Sequence, residues 1–303
     1  MLLPVTHRPK IAARASAAVL AVVAGVVASG CAGFRQKHPV SASVAACRMY
    51  SCQGVTALET GDYNQAESLL RQAAEASPQD ADARRHLADA LWAGGQQGEA
   101  VANMRSSVEL QPHNAEARVR YGQMLLAGGN HSEAHDQAQQ ALAINPRDAA
   151  AWALRGRAML GLGEGDRAMA DLHQSLQYAP ADRDVLSDLA DLHKRAGQRR
   201  RELTTLHCLR ETYARGEEPT ELIATDADAY VALGLPTQAV ERLRMACRRG
   251  NASAALLCQL AEAEAAAGDA TQAVASAQLA LTADANHLPA QQLLARLSGG
   301  AFR

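Results

Sequence analysis

Two histidines four residues apart are the side chains of this sequence whose spacing best suits a metal ion. In His131-Ser132-Glu133-Ala134-His135 both imidazoles fall on one face of a helix. The glutamate stands one place too late for the zinc-protease arrangement, in which it directly follows the first histidine. No third ligand is apparent, and His131 takes the place that Tyr63 holds in an earlier segment. We therefore predict no metal site and interpret these histidines as packing or turn residues.

Cysteines are the second group that could do chemistry. Of the six in the chain, Cys247 and Cys258 fall on helices that the repeats described below make neighbours. They are the pair we predict for a disulfide, and buried free thiols are the alternative. No phosphate loop, nucleophile elbow, catalytic cysteine signature or paired-carboxylate motif occurs. We predict that the chain is not an enzyme, has no catalytic residues and holds no cofactor.

Composition points to helices. The chain has 303 residues, of which 48% are hydrophobic and only 3% aromatic, a bias toward alanine and leucine that favours helix over strand. The 30 basic residues nearly balance the 32 acidic ones. Because there is no bulk positive field, we do not expect a nucleic-acid partner.

The first residues have the pattern of an export signal. Basic residues precede an uncharged apolar run, 15–30, that ends in small residues. Ala28-Ser29-Gly30-Cys31 resembles the lipobox of bacterial lipoproteins, which implies cleavage after residue 30 and lipidation of Cys31. Ala32 after the cysteine then favours the outer over the inner membrane. The alternative is an uncleaved membrane anchor over 15–34, since about 20 apolar residues can span a bilayer.

Both interpretations place the rest of the chain outside the cytoplasm, tethered to a membrane. Residues 31–46, the lipidated cysteine and the segment after it, lack a helical apolar period and are predicted to form a flexible tether. Cleavage after residue 30 removes three basic residues and leaves 27 against 32 acidic ones, a formal charge of −5. The mature protein is mildly acidic.

The body of the chain repeats. Residues 47–80, 81–114, 115–148 and 149–182 align without a gap, and each unit reads as two short helices joined by a tight turn. Small residues at the eighth and twentieth places let the two helices approach closely. Turn glycines end the first helices, and prolines follow the second helices. The turn glycines are Gly61, Gly95, Gly129 and Gly163, and the prolines are Pro78, Pro112, Pro146 and Pro180.

These features resemble the tetratricopeptide repeat, seen in Gly61-Asp62-Tyr63-Asn64-Gln65-Ala66 and in Trp152 with Gly156. The resemblance implies an all-α fold, a right-handed α-solenoid. We expect four regular units over 47–182, three less regular units over 183–287, and a capping helix with a tail over 288–303. The fifth unit has Glu202 where alanine is expected. Its extra length extends the second helix through Tyr213 or lengthens the following loop.

The resemblance also implies that first helices line a concave groove through places 2, 5, 6, 9, 12 and 13 of each unit. In units two to four these places include Arg85, His86, Asp89, Trp92, Arg120, Gln123, Leu126, Arg157 and Leu160. In units five to seven they include Asp184, Asp188, Asp191, Glu221, Asp228 and Glu262. We expect the first set to take an acidic or carboxylate-bearing segment with an apolar anchor near Trp92, and the second to tolerate a basic one. Ordinary solvated helix faces are the alternative.

The predicted function is a membrane-tethered scaffold or adaptor of the bacterial envelope that faces the periplasm and binds segments of other proteins in the groove. Similar lipid-anchored repeat proteins assist pilus or secretin assembly, polysaccharide export or recruitment of cell-wall hydrolases. The alternatives are a structural protein that self-associates through the two halves of the groove, and a metal-binding protein or enzyme.

Overall fold

The fold is built from helices throughout the part of the chain that the structure describes. The computed structural model describes residues 41–250 and 252–299. These residues form fifteen helices and contain no strand, which confirms the all-α class. The helices are α1 Ala42–Glu59, α2 Tyr63–Ala76, α3 Ala81–Ala93, α4 Gln97–Leu110, α5 Ala115–Ala127, α6 His131–Ile144, α7 Ala149–Gly161, α8 Gly165–Tyr178, α9 Arg183–Arg195, α10 Arg199–Glu211, α11 Thr220–Ala232, α12 Pro236–Arg248, α13 Ala254–Ala266, α14 Ala270–Ala283 and α15 Leu288–Gly299.

Successive helices pair into seven hairpins, from α1 with α2 to α13 with α14, and α15 packs on the last of them. Each second helix also packs against the first helix of the next hairpin. First helices touch one another across hairpins, as α1 does with α3 and α5 with α7. The chain is therefore an α-solenoid, in which every hairpin covers apolar surface of its neighbours.

Side-chain caps fix where most first helices begin. The Asp80 carboxylate accepts a hydrogen bond from the Ala83 amide at 3.0 Å, and Asp148 accepts one from Ala151 at 3.1 Å. Ser41, Asn114, Asp182 and Ser253 cap α1, α5, α9 and α13 in the same way. The second helices of hairpins one to four end two residues before the predicted prolines. Proline and cap together separate one hairpin from the next.

Glycines in the left-handed region close the first helices. The backbone φ is +82° at Gly61, +82° at Gly95, +79° at Gly129 and +82° at Gly163. A side chain at these angles would be strained, so glycine allows the sharp turn into the second helix. The predicted role of these four residues is confirmed.

Small residues allow the helices of a hairpin to cross closely. A Cβ added to Gly54 would lie 2.5 Å from Cγ of Leu70, and one added to Gly156 would lie 3.1 Å from the Ala168 carbonyl oxygen. Ala66, Ala100, Ala134 and Ala168 on the facing helices are fully buried. These contacts confirm that packing explains the small residues.

The fifth hairpin departs from the others in two ways. Glu202 occupies the buried place that alanine fills elsewhere, with its carboxylate 2.8 Å from Arg199 on the same helix. Because α10 ends at Glu211, the extra residues lengthen the connection to α11 rather than the helix. An ion pair of 2.7 Å between Arg249 and Glu218 links this connection to the end of α12.

The first hairpin begins earlier than expected. We predicted a flexible tether through residue 46, but α1 starts at Ala42, where Ser41 accepts a hydrogen bond from the Val44 amide at 3.3 Å. The cap and the alanines that follow it extend the helix into the last five residues of the predicted tether. The signal segment, the possible anchor over 15–34 and Cys31 lie outside the described residues.

Replacing Gly54 with alanine should destabilise the chain by about 1–2 kcal/mol. Overpacking against buried Leu70 costs about 1–3 kcal/mol, while alanine in a helix interior returns up to about 1 kcal/mol. Gly98→Ala is the matched control, because a Cβ on Gly98 meets nothing within 4 Å. Urea unfolding should show opposite signs for the two variants. Equal effects would mean that the close crossing does not limit residue size.

Candidate functional site

A pocket of about 550 Å³ lies on the first helices of hairpins one to four. Five of the nine residues that we predicted for the groove in units two to four line it together. They are Arg85, Asp89 and Trp92 of α3 with Arg120 and Gln123 of α5. The remaining lining residues are Leu58, Ala93, Glu116, Val119 and Ala150. We call this pocket, with its ten lining residues, the groove pocket.

Apolar side chains form one part of the groove pocket. Trp92 and Leu58 are partly buried and pack against the core that includes Leu91 and Leu125. Val119 is buried, whereas Ala150, at the start of α7, is exposed. The helix cores hold these residues in place, so the apolar surface is formed before any partner binds.

Charged side chains in the groove pocket are already paired with one another. Nε of Arg120 lies 2.7 Å from Oδ1 of Asp89, which joins α5 to α3. Arg85 lies 3.4 Å from the carboxylate of Asp82 and 3.8 Å from that of Glu116. The two arginines therefore face acidic partners within the chain, and the pocket is less basic than the sequence suggested.

His86 is held neutral beside this pocket. Arginine only donates hydrogen bonds, so Nε2 of His86, 3.1 Å from Nη2 of Arg85, is the acceptor and the proton sits on Nδ1. Burial, with a smaller contribution from the charge of Arg85, lowers the pKa of His86. The Nδ1 atom is buried without a hydrogen-bond partner.

The predicted groove residues Arg157 and Leu160, like His86 and Leu126, do not line the groove pocket. Nε of Arg157 lies 2.6 Å from Oδ2 of Asp188 on the next first helix. Leu160 is partly buried against the core cluster that contains Val185 and Leu189. The pair between Arg157 and Asp188 connects the basic set to the acidic set. The remaining acidic residues, Asp184, Asp191, Glu221, Asp228 and Glu262, are exposed.

The repeat register contains a signal for the pocket residues that we did not name. Leu58 holds place 12 of its unit and Ala93 place 13. Val119 holds place 5, and Glu116 and Ala150 hold place 2. All five fall at the places that the family resemblance assigns to the groove. Small or aliphatic side chains at those places escaped notice because they have no conspicuous chemistry of their own.

The first of the two spaced histidines packs between hairpins. A Cβ added to Gly161 would clash with the ring of His131, so this ring rests on the end of the next first helix. His135 lies 3.5 Å from the carboxylate of its neighbour Asp136. Among residues 41–250 and 252–299, no three His, Cys, Asp or Glu side chains come together as a metal site.

The five cysteines of the described part are free thiols in this structure. Burial raises the pKa of both Cys247 and Cys258, which keeps their thiols protonated. A disulfide between these two residues stays a prediction.

The fold and the groove pocket define a helical-repeat protein whose first helices line a pocket. Two models of the tetratricopeptide repeat family match the chain, over residues 53–115 and 95–158. These matches and the structures described next support a tetratricopeptide repeat protein. No curated protein matches the chain in sequence.

Several solved structures share the fold. A tetratricopeptide repeat protein from Parabacteroides merdae ATCC 43184 is 17% identical, with a TM-score of 0.56 over 84% of this chain and 99% of that one. PilW, described as a widely conserved type IV pilus biogenesis factor, is 20% identical, with a TM-score of 0.59 over 65% of this chain and 90% of that one. PilF of Pseudomonas aeruginosa is 19% identical, with a TM-score of 0.52 over 84% and 99%. At these identities the likeness is one of fold alone.

The pair between Asp89 and Arg120 should show a measurable coupling energy. Since the side chains are 24% and 38% exposed and 2.7 Å apart, a double-mutant cycle with Asp89→Asn and Arg120→Gln should give about 0.5–1 kcal/mol in urea unfolding. The control pair, Arg167 with Glu164, has the same distance but is 73% and 42% exposed, and should couple less. Equal coupling in both pairs would show that burial in the groove adds nothing.

Proposed function

We propose that this chain is a membrane-tethered scaffold of the bacterial cell envelope that binds a segment of another protein in the groove pocket. Tetratricopeptide repeat proteins generally mediate protein–protein interactions, which supports the class of function. The observation that carries the proposal is the groove pocket itself, where apolar side chains lie beside charged groups that are already paired. Neither the fold nor the pocket calls for a catalytic role.

The ion pairs within the groove pocket restrict the chemistry of the partner segment more than the sequence did. An acidic segment would have to compete with Asp89 for Arg120 and with Glu116 for Arg85. An apolar side chain inserted next to Trp92 has no such competitor. We therefore propose that an aliphatic or aromatic anchor provides most of the affinity, with charged groups of the partner at the rim.

The tether is proposed from the sequence. The segment 28–31 resembles a lipobox and stands at the end of an apolar run, 15–30, of the kind found in export signals. Across the ranges 41–250 and 252–299, no helix is long and apolar enough to cross a bilayer. A lipid on Cys31 would hold the solenoid at a membrane facing the periplasm, and Ala32 favours the outer membrane over the inner one.

Filling the groove pocket should abolish partner capture. Ala150→Trp adds a large side chain at an exposed position of the pocket without touching the core. Crosslinking in the native cells followed by mass spectrometry should recover the main partner at least about tenfold less, the loss typical when a central anchor site is blocked. Ala102→Trp, at an exposed position on α4, is the matched control and should capture the partner normally. Undiminished capture by Ala150→Trp would show that the partner binds elsewhere.

Cys31→Ser should abolish lipidation and block cleavage of the signal segment. Metabolic labelling with an alkyne fatty acid should mark the parent chain and leave the variant unmarked, and the variant should keep its full length by intact mass. Cys52→Ser changes an exposed cysteine in α1 and is the control for cysteine loss. If the parent chain carries no label and remains uncleaved in cells, residues 15–34 are an uncleaved anchor instead.

A further inference from the structure

The turns between first and second helices lie side by side along one edge of the solenoid. Gly161, at the end of α7, contacts the His131 ring at the start of α6 in the preceding hairpin. Leu233, at the end of α11, lines a hollow of about 520 Å³ together with residues 197–201 of the preceding turn. The turns of hairpins three and four, and those of hairpins five and six, thus lie next to each other. Since the hairpins stack in one direction, the turns follow one another along the solenoid in a row that we call the turn edge.

The turn of hairpin five is strongly basic. Its sequence is Lys194-Arg195-Ala196-Gly197-Gln198-Arg199-Arg200-Arg201. Arg199 is engaged by Glu202 at 2.8 Å. Lys194, Arg195, Arg200 and Arg201 are exposed, and none of them forms an ion pair with another described residue. The charge of Lys194 acts on the nearby carboxylate of Asp228, a predicted groove residue. Arg195, Arg200 and Arg201 therefore leave three positive charges together at the turn edge.

Folding does not explain this cluster. Arg199, Arg200 and Arg201 occupy the first turn of α10, where the helix dipole disfavours cations. The first turns of the second helices in hairpins two to four carry Glu99, Glu133 and Asp166, which the dipole favours, and at most one arginine, Arg167. In the first turn of α10 the one acidic residue, Glu202, is outnumbered by three arginines. Neighbouring like charges also repel one another. The arrangement opposes local stability, so it is suited to an anionic partner.

Exposed leucines flank the basic turn. Leu162, in the turn of hairpin four, is 48% exposed, and Leu235, in the turn of hairpin six, is 39% exposed. The residues corresponding to Leu162 in hairpins one to three are Thr60, Gly94 and Gly128. Large apolar side chains thus protrude from the turn edge on both sides of the cations, while the earlier turns are polar or small.

We propose that the turn edge of hairpins four to six docks on an anionic phospholipid surface. The guanidinium groups bind lipid phosphates, and Leu162 and Leu235 enter the interface between headgroups and acyl chains. A row of protruding turns can meet a flat surface along its length. An acidic protein segment would use the charges but leave both leucines in water, so the leucines favour the membrane. This contact is separate from the groove pocket and does not depend on a partner protein.

A fluorescence experiment on the full chain tests the contact. A Leu235→Trp reporter, made in a Trp92→Phe/Trp152→Phe background so that the indole at position 235 is the only tryptophan, is reconstituted with vesicles of brominated phosphatidylcholine, either alone or with phosphatidylglycerol. The indole at position 235 should be quenched in the vesicles that contain phosphatidylglycerol and much less in phosphatidylcholine alone. Each cation at an anionic surface contributes about fivefold to binding, so R195E/R200E/R201E should lower the docked population by about 100-fold or more.

The matched control reverses three other exposed arginines, as R48E/R147E/R215E, which changes the net charge by the same amount. This variant should keep the quenching, and circular dichroism should show both triple variants helical. Three results would overturn the proposal: equal quenching in both vesicle types, quenching that survives reversal of the basic turn, or no quenching while soluble polyglutamate shifts the emission of the reporter. The last result would assign the basic turn to an acidic protein instead. None of these outcomes depends on whether Ala150→Trp affects partner capture.

Discussion

The close crossing of two helices within each hairpin is the constraint on which the rest of the structure depends. The backbones approach because Gly122 and Gly156 face the backbones of the buried residues Ala134 and Ala168, and because Gly54 leaves room for Leu70. A hairpin closed in this way still has apolar side chains on its outer faces, and the neighbouring hairpin must cover them. Each interface involves only adjacent hairpins. A fixed repeat register therefore gives successive interfaces the same geometry, and an irregular unit changes only the interfaces with its own neighbours.

The same register builds the groove pocket. On each first helix, the side chains that face away from the second helix of the same hairpin face the neighbouring first helices. Residues from four hairpins therefore meet at one surface. Arg120 reaches back to Asp89, and Arg157 reaches forward to Asp188, in both cases across the gap between successive first helices. These pairs neutralise the surface while leaving Trp92 accessible. The groove is thereby suited to an apolar anchor, although its most conspicuous residues in the sequence are charged.

The features of this structure that could be predicted from the sequence are the periodic ones. The helix class, the hairpins and the turn glycines recur at a fixed interval, so they could be predicted residue by residue. The groove places were predictable for the same reason, including those filled by Leu58 and Val119. The pairing of Arg120 with Asp89 was not, because it depends on the distance between helices in different units. The early start of α1 depends on the single cap at Ser41, and the longer loop after α10 interrupts the period.

From hairpin four onward, buried charge accompanies small-residue packing, beginning with the 2.7 Å pair of Asp171 with Arg155. Glu202 replaces the small residue at the crossing, and one of its oxygens has no hydrogen-bond partner. Asp226 is buried between Arg210 at 3.1 Å and His207 at 3.4 Å, and burial raises the pKa of its carboxyl group. A buried pair contributes little net stability, yet removing one member costs about 3–5 kcal/mol. The contacts of Asp226 therefore favour a single arrangement of hairpins five and six. The long loop and the basic turn occur in hairpin five. A fixed arrangement of hairpins five and six would hold their turns in one orientation relative to the groove pocket. The cations and Leu235 lie in these turns and would be held with them.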